Sequence, residues 1–163
     1  MLPADSIIIS SASTPQDLTT IKQLFSAYVA ALAISITYQN FTHELANLPG
    51  KYYPTAGGAL LLARSSVSGA AIGCVALRSL RTPLWCEMKR LYVSEEGRGM
   101  GTGKKLLARA VQCARELGYK EVVLDTLPNM DAARGIYREF GFREIEAYYA
   151  TPVAGTIFLG LTL

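Results

Sequence analysis

The chain has 163 residues, 50% of them apolar and 18% charged, and its 16 basic against 13 acidic side chains give a formal net charge of +3. A chain of this length hides about 70% of the surface its unfolded form exposes, which excludes intrinsic disorder and mini-protein scaffolds that need disulfides or a structural metal. The charge is uneven: Met88 to Ala110 holds Lys89, Arg90, Arg98, Lys104, Lys105 and Arg109 against only Glu95 and Glu96, a stretch that suits a compact polyanion better than a nucleic-acid duplex, or is simply a solvated helix face.

Met1 to Ser13 carries Asp5 and no basic n-region, and the most apolar run, Ala27 to Ile36, is shorter than the about 20 residues that cross a bilayer. No signal peptide and no membrane span are expected. Thr14-Pro15-Gln16-Asp17 supplies a capping hydroxyl, a proline for the first turn and an acid, ahead of Leu18, Ile21, Phe25, Tyr28 and Leu32 at helical spacing. A short second helix is predicted over Asn40 to Asn47, ended by Pro49-Gly50, with an aromatic loop at Tyr52 and Tyr53. His43, the only histidine, is expected to be an ordinary polar residue of that helix.

Gly58 to Arg64 and Ala70 to Ser79 are apolar and strand-like around a turn at Ser65 to Gly69, and so predict a hairpin. Leu84 to Val93 predicts a third strand. After a glycine-rich loop comes a helix with Leu106, Leu107, Ala110, Val111, Ala114 and Leu117 on one stripe, ended by Gly118. A strand at Glu121 to Thr126, a break at Pro128, a helix over Asn129 to Phe140 and strands at Phe142 to Tyr149 and Thr156 to Leu163 complete the order. That order predicts a mixed α/β sheet with one parallel crossover, in one domain over residues 1–163. Cys74, Cys86 and Cys113 are odd in number, far apart and set among apolar neighbours, which predicts reduced buried thiols and a cytoplasmic location. With one histidine and no Cys-x-x-Cys, no metal is expected.

Between a strand and a helix, Gly97-Arg98-Gly99-Met100-Gly101-Thr102-Gly103 presents bare amides to an anion at a helix N-terminus. The dinucleotide fingerprint fails, because its third glycine falls on Thr102 or Lys104. The P-loop fails because its leading glycine falls on Arg98 and its Ser/Thr on Lys105. What remains, Arg98-x-x-Gly101-x-Gly103, resembles the pyrophosphate-binding motif of the GNAT superfamily of acyl-CoA-dependent N-acyltransferases. Glu87 to Val93 resembles that family's central strand, and Leu124-Asp125-Thr126, Asn129, Ala133, Tyr137 and Phe140-Gly141-Phe142 resemble its following strand and helix.

The resemblance spans nearly the whole chain and implies an α/β (α+β) fold with a mixed, mostly antiparallel sheet of six to seven strands and about four flanking helices. It implies that the amides of Arg98, Gly99, Met100, Gly101, Thr102, Gly103 and Lys104 hold the pyrophosphate of acetyl-CoA, and that Lys104, Lys105 or Arg90 meets phosphate. It further implies that Leu91, Tyr92 and Val93 pair with the pantetheine arm, with an amide there as oxyanion donor, and that Asn129 and Ala133 border the same arm. Asn129 fits a helix N-cap equally well. Glu87, a charge in an apolar strand, is the candidate general base, its pKa raised by partial burial; the competing reading is a structural carboxylate paired with Lys89 or Arg90. Tyr137 stands at the family's general-acid position and at the edge of a core stripe. Gly97, where relatives carry a bulkier residue, is expected to loosen the loop.

The implied reaction is acetyl transfer to a primary amine of a small molecule or peptide. Tyr38, Tyr52, Tyr53, Tyr148 and Tyr149 either line the acceptor pocket, cover the core or form a dimer contact. The competing class is a CoA-binding sensor without turnover. No nucleic-acid or membrane partner is expected, and exposed terminal strands are compatible with a homodimer.

Overall fold

The computed structural model describes residues 4–36, 39–80 and 84–163. Strand β1 (Ile7–Ser11) leads into helix α1 (Pro15–Ala31), and helix α2 (Phe41–Ala46) precedes the hairpin of β2 (Ala59–Ser65) and β3 (Ala71–Ser79). Then follow β4 (Trp85–Val93), α3 (Thr102–Glu116), β5 (Glu121–Thr126), α4 (Asp131–Phe140), the short β6 (Arg143–Glu144) and β7 (Ile157–Thr162). The seven strands form one sheet in the order β1-β2-β3-β4-β5-β7-β6, antiparallel throughout except for the parallel β4–β5 pair.

Local chemistry accounts for most boundaries. The Thr14 hydroxyl accepts from the Asp17 amide at 3.0 Å while the Asp17 carboxylate accepts from the Thr14 amide at 3.2 Å, a reciprocal cap that starts α1 where Pro15 fixes its first turn. Along β2, Leu61 and Ala63 turn to one face and Leu60 and Leu62 to the other. The first face packs on Leu106, Leu107, Ala110, Val111 and Ala114 of α3, the second on Ile21, Leu24 and Phe25 of α1. Leu106, Leu107 and Val111 are fully buried, each contributing about 1.5–3 kcal/mol of transfer free energy. Leu117, expected on this stripe, caps the helix end and is exposed.

Four expectations change. β1 was not predicted: its three isoleucines alternate between half-buried and exposed and form an edge against β2. The strand expected over Phe142 to Tyr149 shrinks to two residues, because Tyr148 and Tyr149 converge, ring centroids 5.5 Å apart, instead of alternating across a strand. α4 starts at Asp131 with Met130 at its cap and no side-chain cap bond, so Asn129 is not an N-cap. Gly97 does not loosen its loop: it is buried, and a Cβ there would lie 2.7 Å from the Ile72 carbonyl oxygen and 2.9 Å from its Cβ, so only glycine packs.

Candidate active site

Two features of β4 open the sheet. The β4–β5 ladder covers only Trp85 to Glu87 against Glu121 to Val123, leaving Met88 to Val93 without a ladder partner on that side. In addition, β4 holds one residue more than β3 between the pairs Lys89↔Ala76 and Tyr92↔Cys74, a bulge at which Arg90 takes φ 61°. The Cys74 thiol, buried with its pKa pushed up by desolvation, donates to the Arg90 carbonyl at 3.4 Å and occupies the acceptor the bulge leaves over.

Where the strands part, a groove of about 670 Å³ runs between β4, the glycine loop and the start of α4. Leu91, Tyr92, Val93, Arg98, Gly99, Gly101, Thr102, Gly103, Lys104, Asn129 and Ala133 all line it; Met100 does not. Gly99 and Gly101 take φ 75° and 76°, a left-handed conformation that a side chain would strain. Gly101 is the cap of α3 and no side chain caps the helix, so the first amides of α3 keep their donors for a ligand. The Thr102 hydroxyl donates to the Gly97 carbonyl at 2.7 Å and ties the loop to the helix. A Cβ on Gly103 would lie 3.0 Å from Ile136, so glycine sets how closely α3 and α4 border the groove.

The positive stretch of the sequence is largely spent within the fold. Arg90 is buried and pairs with buried Glu44 at 3.0 Å, Lys89 faces Glu87 at 3.8 Å, and Lys104 meets Glu139 at 2.8 Å on the surface. Arg90 is therefore not a phosphate ligand, and Lys105 is exposed outside the groove lining. Arg98 and Lys104 are the cations that border the groove. Glu44 also accepts from Tyr52 at 2.7 Å and faces a second cavity, of about 250 Å³, between α2 and the turn after it. Tyr52 is thus a core residue, packed edge-on against Phe25, while Tyr53 is half exposed and Tyr38 lies outside the described residues.

Glu87 is 1% exposed. Arg78 Nε holds its Oε1 at 2.7 Å and the Tyr148 hydroxyl donates to Oε2 at 2.6 Å. Burial pushes this carboxyl up, but the charges of Lys89 and Arg78 and the bonds from Tyr148 and Arg78 outweigh it, and its pKa falls below the ordinary glutamate value. This reverses the expected direction; of the two expected partners Lys89 is present at 3.8 Å, while Arg90 pairs with Glu44 and Arg78 takes its place. Glu87 does not border the groove or the chambers beside it.

Tyr137 is buried, one turn after Ala133, and lines a chamber of about 30 Å³ with Tyr28, Lys89, Leu91, Asp125 and Met130. Tyr28, Leu91 and Met130 are shared with the groove. Desolvation pushes the Tyr137 phenol up, with smaller contributions from Tyr28 and Asp125. Asp125, on β5, received no role from the sequence, although it is a charge in an apolar strand just as Glu87 is; Tyr149 donates to its Oδ2. Among the described residues no cluster of three histidines, cysteines or carboxylates has metal-site geometry.

Residues 27–142 match the family model described as the acetyltransferase (GNAT) family. An uncharacterized N-acetyltransferase of Schizosaccharomyces pombe is 39% identical over 163 residues, covering 100% of this chain and 99% of the relative. A second uncharacterized N-acetyltransferase, from Dictyostelium discoideum, is 29% identical over 217 residues, covering 96% of this chain and 100% of that one. Among solved structures, a GNAT-family acetyltransferase of Staphylococcus aureus shares the fold with a TM-score of 0.77 at 21% identity, over 96% of this chain and 99% of the other. A Salmonella typhimurium structure solved with its cofactor acetyl-CoA has a TM-score of 0.70 at 18% identity, over 96% and 93% of the two chains.

Proposed function

The chain belongs to the GNAT family of acetyltransferases, and from that premise we propose that it transfers the acetyl group of acetyl-CoA to a primary amine of a small molecule or peptide by direct attack, without a covalent acyl-enzyme. One observation carries this reading: the uncapped amides of α3 and the unpaired edge of β4 border the same groove. Such amides bind a pyrophosphate, and such an edge binds an extended amide-bearing arm as a strand would.

Acetyl-CoA supplies an electrophilic thioester. Gly99, Gly101 and the first turn of α3 hold its phosphates, with Arg98 and Lys104 adding charge; Leu91 to Val93 and Asn129 hold the arm. As the new C–N bond forms and the C–S bond breaks, an amide of the Leu91 to Val93 edge stabilises charge on the carbonyl oxygen. Tyr137, at the chamber end, gives its phenolic proton to the departing thiolate. Tyr148 and Arg78 occupy the Glu87 carboxylate, so the proton lost by the amine goes to the Tyr148 oxygen as Tyr148 passes its own proton to Glu87 Oε2.

The test is to incubate the protein with acetyl-CoA and a panel of amines, polyamines, amino acids and peptides and to look by mass spectrometry for a mono-acetylated amine. A covalently acetylated protein on the route to product would overturn direct attack.

A further inference from the structure

Beside the Tyr137 chamber lies a second one of about 30 Å³, which shares Tyr28, Gln39, Asp125, Thr126 and Met130 with it. Its remaining walls are Leu32, Ile34, Ile36, Leu127 and Thr156, and among the described lining residues Asp125 is the one charged group. Asp125 therefore belongs to both chambers, with the aliphatic side chains of Leu32, Ile34 and Ile36 on one side and the candidate acid Tyr137 on the other.

The carboxylate is half fixed. Oδ2 accepts from Tyr149, whose ring packs edge-on against Phe158 with centroids 5.2 Å apart, while Tyr148 packs on Phe158 at the same centroid distance. Two successive tyrosines thus reach two carboxylates on the two strands that part, Tyr148 to Glu87 on β4 and Tyr149 to Asp125 on β5. Among the described residues Oδ1 of Asp125 carries no hydrogen bond and no ion pair. Lys89, which lines the Tyr137 chamber with Asp125 and feels its charge, pairs with Glu87 at 3.8 Å and donates to Gln39 at 3.2 Å.

We propose that Asp125, oriented by Tyr149, is the group that binds the acceptor's ammonium, and that the acceptor is a primary amine on an apolar body with no carboxylate beside it. This rests on the acetyl-transfer reading. An ammonium entering between the chambers meets Oδ1, and the carbons beside it meet Leu32, Ile34 and Ile36, with Leu32 continuing into the groove. A zwitterionic amino acid in that position brings a second carboxylate against Asp125 and against Leu32, Ile34 and Ile36, which costs like-charge repulsion and desolvation. Asp125 touches the acceptor; Tyr149 acts through Asp125 and is a positioning residue.

The test compares steady-state acetylation of phenethylamine, L-phenylalaninamide and L-phenylalanine by the full chain. The two carboxylate-free amines are expected to exceed L-phenylalanine in kcat/KM by at least about tenfold, the worth of one charge-assisted contact. Asp125→Asn is expected to raise KM for phenethylamine by about tenfold or more and leave KM for acetyl-CoA unchanged. Tyr149→Phe raises the amine KM less and leaves kcat near its starting value, and Asp125→Glu restores part of the loss. Equal use of L-phenylalanine, or an Asp125→Asn variant with an unchanged amine KM, overturns the proposal. Acetyl-CoA binding by calorimetry separates the two levels. Binding without acetylation of any of the three amines overturns the acceptor proposal alone, whereas absence of binding overturns the acetyl-transfer reading beneath it.

Discussion

The hydroxyl of Tyr148 donates to Glu87 Oε2 across 2.6 Å, joining the segment that leads into the last strand to the carboxylate at the centre of the sheet. Because Arg78 and Lys89 face the other oxygen, Glu87 is first of all the counter-charge for two cations. Removing it takes from Lys89, whose side chain is 9% exposed, the carboxylate it is paired with and leaves it the neutral Gln39 amide as hydrogen-bond acceptor. Glu87→Gln is therefore expected to destabilise the fold by about 3–5 kcal/mol, and Tyr148→Phe by about 1.5–3 kcal/mol, the loss of one bond to a charged acceptor. Urea unfolding measures both. If the amine's proton passes through Tyr148, Tyr148→Phe also lowers kcat by at least about tenfold while the protein stays folded; an unchanged kcat would exclude that route.

Tyr137 is buried and its phenol is pushed up by desolvation. It remains protonated through neutral and moderately alkaline pH, the state a thiolate-protonating acid requires. Tyr137→Phe is expected to lower kcat by about 10²- to 10⁴-fold with little change in KM for acetyl-CoA. An alkaline limb of the kcat profile that disappears in Tyr137→Phe would mean that the phenol titrates in the working range, against this assignment.

Glu44 and Glu87 share one electrostatic signature. Burial raises each carboxyl, but for Glu44 the hydrogen bond and charge of Arg90, then Tyr52 and Lys51, outweigh it, and for Glu87 Lys89 and Arg78 do so; both end below the ordinary value of 4.5. A carboxylate whose folded pKa is lowered contributes stability that is complete above the unfolded value and is lost as pH falls through the folded one. Urea midpoints at constant ionic strength are thus expected to hold above about pH 5 and fall steeply below about pH 4.5. Glu44→Gln, compared at equal pH, should flatten that fall, and an identical slope in the variant would remove Glu44 from the explanation.

Gly101 caps α3 at φ 76°, and a Cβ built there meets nothing within 4 Å. A side chain at this site costs about 1–2 kcal/mol of backbone strain and, if it is acidic, opposes phosphate at a helix N-terminus. Gly101→Glu should still fold, with a modestly lower melting temperature, yet lose the thermal stabilisation that added CoA gives the unaltered protein. Stabilisation by CoA that survives the substitution would take the phosphates away from this loop.

Local signals carried much of this architecture. Thr14 to Asp17 announced α1, the Leu106 to Ala114 stripe announced α3, and the glycine run marked the groove. The structure brings the marked residues of the loop, of β4 and of the start of α4 to one surface, Met100 excepted. What sequence could not supply were relations between distant segments. Nothing near Glu87 in the chain points to Arg78 or Tyr148, nothing near Arg90 points to Glu44, and burial alone suggested a raised Glu87 pKa where three partners lower it. β1 has a weak sequence signal because an edge strand buries only one side of a short isoleucine run. Asp125 carried the same signal as Glu87, a carboxylate among apolar strand residues, and only the parting of β4 from β5 distinguishes the carboxylate that faces open space from the one that is sealed in.

The most direct test of acetyl transfer is the initial rate of free CoA thiol release from acetyl-CoA with and without added amine. Release that rises and saturates with amine concentration, matched mole for mole by N-acetylated product, is the expected result. Tight acetyl-CoA binding with no amine-dependent release across amines, polyamines, amino acids and peptides would contradict it and leave a protein that binds the thioester without using it.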